Sequence, residues 1–329
     1  MRRYIVAVTL LTISAGCTGV AQKPMMALDA GDHLTVCSFN TRFLGQFKKK
    51  DCPALASILR DYDIVVVQEL VAPPVDGIYP DGETYTADAE AAKFFDAMED
   101  LGFSYVLSEE DTGTNDEIHS PTSATEWWVT FYKPQSVQCA NDLPHGFLAA
   151  DRSNNPDYER VPYAFGFRSN NQNVDFVLIS VHLQPNNSPS ARARRKHELA
   201  SIATWITAHD AKEKDFIILG DMNIYTPAEL ADVTPAGYLS LNDECRPTNT
   251  NASSPEPYDH VMYNTTYTTE IDTGFDLVVV NLVEAMRGLW TNPNASYPGD
   301  PYDGNLFGQY YSDHNPVVFR MMVPSQDDD

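Results

Sequence analysis

Two short stretches of the chain are apolar at every position, Ile64-Val65-Val66-Val67 and Phe216-Ile217-Ile218-Leu219. Strands without alternation are covered on both faces, so these two predict central strands of stacked sheets. Further β-branched and aromatic runs, bounded by polar or turn residues, extend the set of predicted strands. These are Leu34–Asn40, Asp63–Glu69, Glu126–Lys133, Tyr163–Arg168, Val174–Leu183, Asp215–Asp221, Tyr258–Tyr263 and Val317–Val323. Helical spacing is clearest over Pro189–His209, where Leu199, Ile202, Ala203 and Ile206 recur on one face behind Ser188 and Pro189 at the cap and first turn. Pro53–Arg60, Ala87–Leu101 and Leu277–Leu289 are the other predicted helices. This interleaving predicts an α/β (α+β) fold, a four-layer sandwich of two packed mixed sheets flanked by helices. Asn292 to Gly308, rich in Pro, Asn, Gly and Tyr, reads as an irregular loop that shapes access for substrate.

The N-terminal pattern is of another kind. Arg2 and Arg3 precede an apolar stretch from Tyr4 to Ile13, too short to span a bilayer, and then Ser14, Ala15, Gly16 and Cys17. This predicts an export signal over residues 1–21. Ser-Ala-Gly-Cys resembles a bacterial lipoprotein box, although Ser14 stands where such boxes usually carry Leu, while Gly19-Val20-Ala21 suits an ordinary signal peptidase. The expected location is the periplasm, the envelope through a lipid anchor on Cys17, or the medium. A single domain from about residue 30 to 324, expected as a monomer, and an acidic tail over 325–329 complete the organisation. Export makes disulfides available to Cys37, Cys52, Cys139 and Cys245, whose pairing spacing does not reveal. Cys37, inside an apolar strand, equally suits a reduced core residue.

Formal charge is −24, and all 46 acidic residues follow position 28, so a chain without Arg2 and Arg3 carries 20 basic against 46 acidic groups. Such a surface repels nucleic acid on average. Eight of the 22 cations, however, occupy two short segments: Arg42, Lys48, Lys49, Lys50 and Arg192, Arg194, Arg195, Lys196. Both segments follow predicted strand ends closely, so both are expected to edge one cleft and to track a phosphate backbone. Between Asp81 and Glu117 twelve acids stand against Lys93 alone, read as a solvated face, with a calcium site as the sharper alternative.

Polar residues gather where predicted strands end: Asn40, Glu69, His182, Asp221, Asn223, Asp259, Asp313 and His314. In Gly220-Asp221-Met222-Asn223, alternation aims Asp221 and Asn223 to the same side, and a buried carboxylate needs a metal, a polarised water or another partner. Glu69 ends an apolar strand as a candidate ligand for a hard cation. Adjacent Asp313 and His314 cannot share a strand face, but in a loop one can take metal while the other faces substrate. The ordered set Ser38-Phe39-Asn40, Gln68-Glu69, Ser180-Val181-His182-Leu183, Gly220-Asp221-Met222-Asn223, Tyr258-Asp259-His260 and Ser312-Asp313-His314-Asn315-Pro316 resembles the deoxyribonuclease-like endonuclease/exonuclease/phosphatase family over nearly the whole mature chain.

The resemblance implies roles residue by residue. Glu69 matches the family's principal metal ligand, with Asn40 beside it and Asp313 as a further metal-site carboxylate. Asp221 and Asn223 match the pair that positions water and scissile phosphate, and His314, oriented by Asp259, matches a histidine at the phosphate. In the deoxyribonuclease-type branch a second histidine is paired with a glutamate, places held here by His182 and Glu126. Arg160, in Arg160-Val161-Pro162-Tyr163, resembles that branch's substrate-contacting arginine. Oxygen and amide ligands without thiolate favour Mg²⁺ or Mn²⁺ over zinc. The expected activity is metal-dependent hydrolysis of DNA phosphodiester bonds by in-line attack of an activated water. The rivals are a sphingomyelinase-like lipid phosphodiesterase, with Trp127, Trp128, Trp290 and Tyr297 at a membrane, a phosphomonoesterase, and a non-catalytic binding lipoprotein of the same fold.

Overall fold

Each of the two uninterrupted apolar segments becomes an interior strand of its own sheet in the computed structural model, which describes residues 33–120, 122–171, 174–325 and 327. The predicted export signal, Gln326, Asp328 and Asp329 lie outside the described residues. In chain order the first half runs β1 (His33–Leu44), α1 (Cys52–Leu59), β2 (Ile64–Leu70), the hairpin β3 (Gly77–Ile78) and β4 (Thr84–Tyr85), α2 (Ala89–Asp100), β5 (Ser104–Asp111), β6 (Trp127–Tyr132), β7 (Val137–Cys139) and β8 (Gly146–Phe147). The second half runs β9 (Tyr163–Ser169), β10 (Asp175–His182), α3 (Pro189–His209), β11 (Phe216–Asp221), α4 (Pro227–Val233), β12 (Tyr238–Ser240), β13 (Asp259–Asn264), β14 (Val278–Val279), α5 (Leu282–Arg287), α6 (Gly304–Tyr310) and β15 (Val317–Met322).

One sheet has the order β14-β15-β1-β2-β6-β5 and the other β12-β13-β11-β10-β9-β7, with β8 also on β9. β1 pairs parallel with β2 and β10 with β11, while their outer neighbours β15, β6, β9 and β13 run antiparallel, so both sheets are mixed. Alternate residues of one strand serve different layers. Val36, Val66 and Trp128 of the first sheet meet Phe165, Phe176 and Leu219 of the second in a middle layer. Phe39, Val65 and Val67 face the other way, onto Leu55 of α1, Phe94 of α2 and Phe307 of α6. On the far side Val177, Ile179 and Ile218 pack against Leu199 and Ile202 of α3. The result is helix, sheet, sheet, helix, and each such buried side chain contributes roughly 1.5–3 kcal/mol by leaving water.

The structure departs from the sequence reading in several places. Leu277–Leu289 is not one helix: Val278 and Val279 join the sheet edge opposite Val318 and Val317, and α5 starts only after Asn281, whose side chain accepts from the Glu284 amide at 3.1 Å. The β-branched run Val278-Val279-Val280 prefers the strand, and an asparagine cap fixes where the helix begins. Part of the predicted loop Asn292–Gly308 is helical, because Asp303 caps α6 by accepting from the Leu306 amide at 2.9 Å. The acidic stretch is not simply a solvated face either. Glu110 and Asp111 are buried, with Arg152 paired to Glu110 and His119 Nδ1 on Asp111 at 2.7 Å, so side chains already meet these two carboxylates. Cys37, Cys52, Cys139 and Cys245 are all free thiols. Trp128 is wholly buried, its indole N–H donating to Val161 O at 2.8 Å, and Trp127 packs under Tyr79 and Tyr85, so neither ring is available to a membrane.

Candidate active site

Strand register assembles the polar ends. In the second sheet His182 of β10 lies directly beside Asp221 of β11, and Asp221 lies opposite Asp259 of β13, so three titratable groups form one row at the sheet's end. That close pairing needs Gly220, which sits at φ +141°, where an added Cβ would lie 2.1 Å from Val181 O. In the first sheet Asn40 pairs with Gln68, and both β1 and β2 then bulge. Glu69 has φ +60°, an unfavourable value for a residue with a Cβ, and the bulge swings its carboxylate off the regular ladder. The strain is held by hydrogen bonds: the Glu69 amide donates to Glu126 Oε2 at 2.6 Å, and Glu69 Oε2 accepts from the Phe43 amide at 3.0 Å.

Asn40 joins the two sheets. Its Nδ2 donates to Glu69 Oε1 at 2.8 Å and to Asp221 Oδ2 at 3.1 Å, while its Oδ1 accepts from the Arg42 amide at 2.9 Å. In this orientation Asn40 spaces the two carboxylates while its oxygen rests on the Arg42 amide. A second bridge lies deeper, from Ser38 through Gln68 to Ser180, with Gln68 Nε2 donating to Ser180 Oγ at 3.2 Å.

Around Asp221 stand two histidine–carboxylate pairs. His182 Nδ1–H donates to Glu126 Oε1 at 2.8 Å and His314 Nδ1–H donates to Asp259 Oδ2 at 2.8 Å. Their Nε2 atoms face one oxygen, Asp221 Oδ2, at 3.5 Å and 3.6 Å. Burial opposes protonation of His314, yet Asp259 and Asp221 outweigh it and hold its proton affinity well above the ordinary imidazole value. Burial and the Arg160 charge pull His182 down, and Glu126 with Asp221 still leaves it raised. For Glu126 burial works upward, but His182 and Arg160 bring its carboxyl below the usual range. Burial raises the carboxyls of both Glu69 and Asp221. Asn223, at φ +50°, turns the chain beyond the strand, donating its amide to Asp221 Oδ1 at 3.0 Å and its Nδ2 to Leu183 O at 3.2 Å.

The profile of the endonuclease/exonuclease/phosphatase family matches residues 37–314, from β1 to the second of these histidines. The chain belongs to this family. As a member of the endonuclease/exonuclease/phosphatase family it is a hydrolase of phosphoric ester bonds. Human deoxyribonuclease gamma is 23% identical over 205 residues, which span 60% of this chain and 59% of that protein, less than two thirds of its length. Among solved structures, the Bacteroides thetaiotaomicron mannosyl-6-phosphatase superposes with a TM-score of 0.52 at 14% identity, covering 88% of this chain and 99% of that one. The human Nocturnin catalytic domain, solved with a bound sulfate anion, gives 0.53 at 14% identity, covering 88% and 94%. These two share the fold.

The endonuclease/exonuclease/phosphatase family depends on a divalent metal, and the residues here fit one. Glu69, His182 and Asp221 offer ligand atoms within 4.8 Å of one another, as do Asp221, Asp259 and His314. Buried carboxylates crowded together resist ionisation, which is why Glu69 and Asp221 are raised, and a hard cation among them would relieve that cost. Asp313 stands outside both groups: its half-exposed carboxylate pairs with Arg42 Nε at 3.4 Å.

Two cations of the predicted track, Lys50 and Arg195, are buried in the fold, while Lys48, Lys49, Arg192 and Lys196 stay exposed. Lys50 is buried and donates to the carbonyls of Gly308, at 3.3 Å, and Tyr311; desolvation lowers its pKa to about 8 in spite of Glu90. Arg195 is fully buried, bound to Glu229 and donating from Nη1 to Gln184 O and Asn186 O, both at 2.7 Å. Lys48 pairs with Asp88, Arg194 holds the carbonyls of Asn155 and Pro156, and Arg192 bonds Asn187 Oδ1 at 3.0 Å. Lys49 is exposed. Arg160 lies against Glu126, Nε to Oε1 at 3.0 Å, with a buried Nη1 that has no hydrogen-bond partner.

Sequence reasoning missed Glu198. Its Oε1 accepts from the Glu159 amide at 2.8 Å and its Oε2 from the Gln184 amide at 3.0 Å, bracing the residue before Arg160 and the segment after His182 together. A signal was present: Arg195, Glu198, Leu199 and Ile202 recur at helical spacing, so two charged residues share the apolar face and had to find partners inside.

Proposed function

We propose that this chain is an exported, metal-dependent phosphodiesterase that hydrolyses DNA by in-line attack of water. The observation that carries this is the convergence of two carboxylate-oriented histidines on Asp221 Oδ2. Displacing one ester oxygen from a phosphodiester asks for one group to take the proton from water and one to give a proton to the leaving oxygen. His182, with Asp221, has the lower proton affinity of the two arms and takes the first role. His314, held protonated by Asp259, donates to the phosphoryl group or the leaving oxygen, and Asn223 orients the phosphate. A divalent cation held at Glu69, when bound, supplies neutralisation of the charge that gathers on the phosphoryl oxygens.

The resemblance to deoxyribonuclease gamma supports DNA as the substrate. With Lys50 and Arg195 committed to the fold, the exposed Lys48, Lys49, Arg192 and Lys196 are left to meet phosphate, so cleavage falls with salt. Export rests on the N-terminal sequence pattern, and mass measurement of the mature N-terminus separates a lipidated Cys17 from cleavage after Ala21.

The test is purified protein with Mg²⁺ or Mn²⁺ against plasmid DNA, RNA, sphingomyelin, a bis-ester chromogen and its mono-ester. DNA and bis-ester hydrolysis that EDTA abolishes is the expected result. Turnover confined to sphingomyelin or to the mono-ester would replace DNA by those substrates, and inactivity on every substrate would leave a binding protein.

A further inference from the structure

Against His314 lies a cavity of about 260 Å³ whose walls include Tyr258, Tyr302, Asn251, Asn305, Arg42 and Asp313. It is built from segments bolted to the proposed site. Thr250 N donates to Asp313 O at 2.8 Å, Asn315 Nδ2 donates to Asn249 O at 2.8 Å, and Tyr302 Oη shares a 2.7 Å hydrogen bond with Thr250 Oγ1. Arg42 crosses beneath, donating to Gly304 O at 3.2 Å and pairing with Asp313, over a helix turn where any Cβ at Gly308 would meet its guanidinium. Tyr258 stands 5.6 Å from the His314 ring, with Tyr225 at right angles behind it.

A group esterified to a phosphate at His314 must pass into or beside this space. The volume falls just under the roughly 300–1,000 Å³ of drug-sized ligand sites, room for about one ring system. Two phenol rings, three asparagine side chains and an arginine already balanced by an aspartate suit a neutral, flat, hydrogen-bonding ring better than a second phosphate. A nucleobase has that chemistry, and only an unpaired one presents both its face and its edge to protein.

We propose that the loop around Asn251 and the segment from Tyr302 to Asn305 form a subsite for an unpaired nucleobase next to the scissile phosphate, so that the chain prefers single-stranded to duplex DNA. This rests on the phosphodiesterase reading of the same site. The experiment compares kcat/KM on a single-stranded oligonucleotide, on its blunt duplex and on the bis-ester chromogen, for the full chain and for Tyr302→Ala and Asn305→Ala. Inhibition by a nucleoside 5′-monophosphate and by deoxyribose 5-phosphate is measured alongside.

The expected result is preference for the single strand. Each substitution then lowers oligonucleotide turnover relative to bis-ester turnover, about tenfold for Tyr302→Ala, the scale of one stacked base. The nucleotide inhibits at lower concentration than the sugar phosphate. Equal cleavage of single strand and duplex, with variants that scale both substrates alike, overturns the subsite and leaves the nuclease standing. Equal inhibition by the sugar phosphate also overturns it, since the space then holds a sugar. Bis-ester hydrolysis without DNA cleavage in any form sinks the nuclease reading itself.

Discussion

The two histidine arms are alike in geometry and unlike in environment. Each imidazole gives its Nδ1 proton to a buried carboxylate at 2.8 Å and turns Nε2 toward Asp221 Oδ2 at 3.5 or 3.6 Å. The Glu126 arm, however, has Arg160 within 3.0 Å and lends a second carboxylate oxygen to the Glu69 amide, which drains its hold on the His182 proton. On the Asp259 arm burial is opposed by Asp259 and Asp221, and His314 is driven well above the ordinary imidazole value. The arms differ by the Arg160 cation beside His182 and by the extra Asp313 carboxylate near His314, and both differences lower His182 relative to His314.

Removing what the arms share has the largest expected effect. Asp221→Asn should lower kcat on the bis-ester chromogen by roughly 10³-fold or more, since both imidazoles lose a charged partner and the metal-competent groups lose a common member; turnover within threefold of the parent would contradict the assignment. Next, His314→Gln and His182→Gln should each cost about 10²–10⁴-fold on DNA. The arms differ in what rescues them: a substrate with a nitrophenolate leaving group needs no proton, so it should restore much of the His314→Gln loss and little of the His182→Gln loss. Equal rescue of both would dissolve the distinction between acid and base.

Arg160→Met addresses the asymmetry directly. Without the guanidinium His182 holds its proton more tightly, so the acid limb of the kcat/KM profile on the bis-ester should move to higher pH, with about a threefold loss near pH 6 and less at pH 8. An unmoved acid limb would mean that Arg160 does not tune His182.

The smallest expected effect belongs to the brace. Burial lifts the Glu198 carboxyl from 4.5 to about 7. The folded protein therefore binds more protons than the unfolded chain between those values, and the stability that Glu198 lends is full below about 4.5 and lost as pH rises through about 7. Glu198→Gln should flatten the dependence of Tm on pH across that window and lower bis-ester turnover only severalfold, by loosening the Glu159 and Gln184 segments. A Tm profile identical to the parent's would place the titration elsewhere.

Much of this site is legible in the sequence. Asn40, Glu69, His182 and Asp221 each close a run whose apolar pattern marks a buried strand, and a polar group at that point must meet another polar group or an ion. The charged residues misled for a definite reason. Lys50 and Arg195 look like surface cations in a list of residues, but one binds the carbonyls that end α6 and the other pins the segment after His182. Trp127 and Trp128 are similar: aromatic content does not tell a core from a membrane face.

Sequence alone determined eight of the strands, the longest helix, the layer order and the residue types at the strand ends, because period and burial are local properties that a few neighbouring side chains impose; β5 and the short edge strands lack that pattern. Tertiary structure decided which ends meet. The register that sets His182 and Asp259 on either side of Asp221, the bulge that turns Glu69, and the placing of Arg160 beside only one arm all depend on pairings between segments far apart in the chain. Local preference fixes the direction of each side chain relative to its own backbone, and only packing fixes what stands opposite.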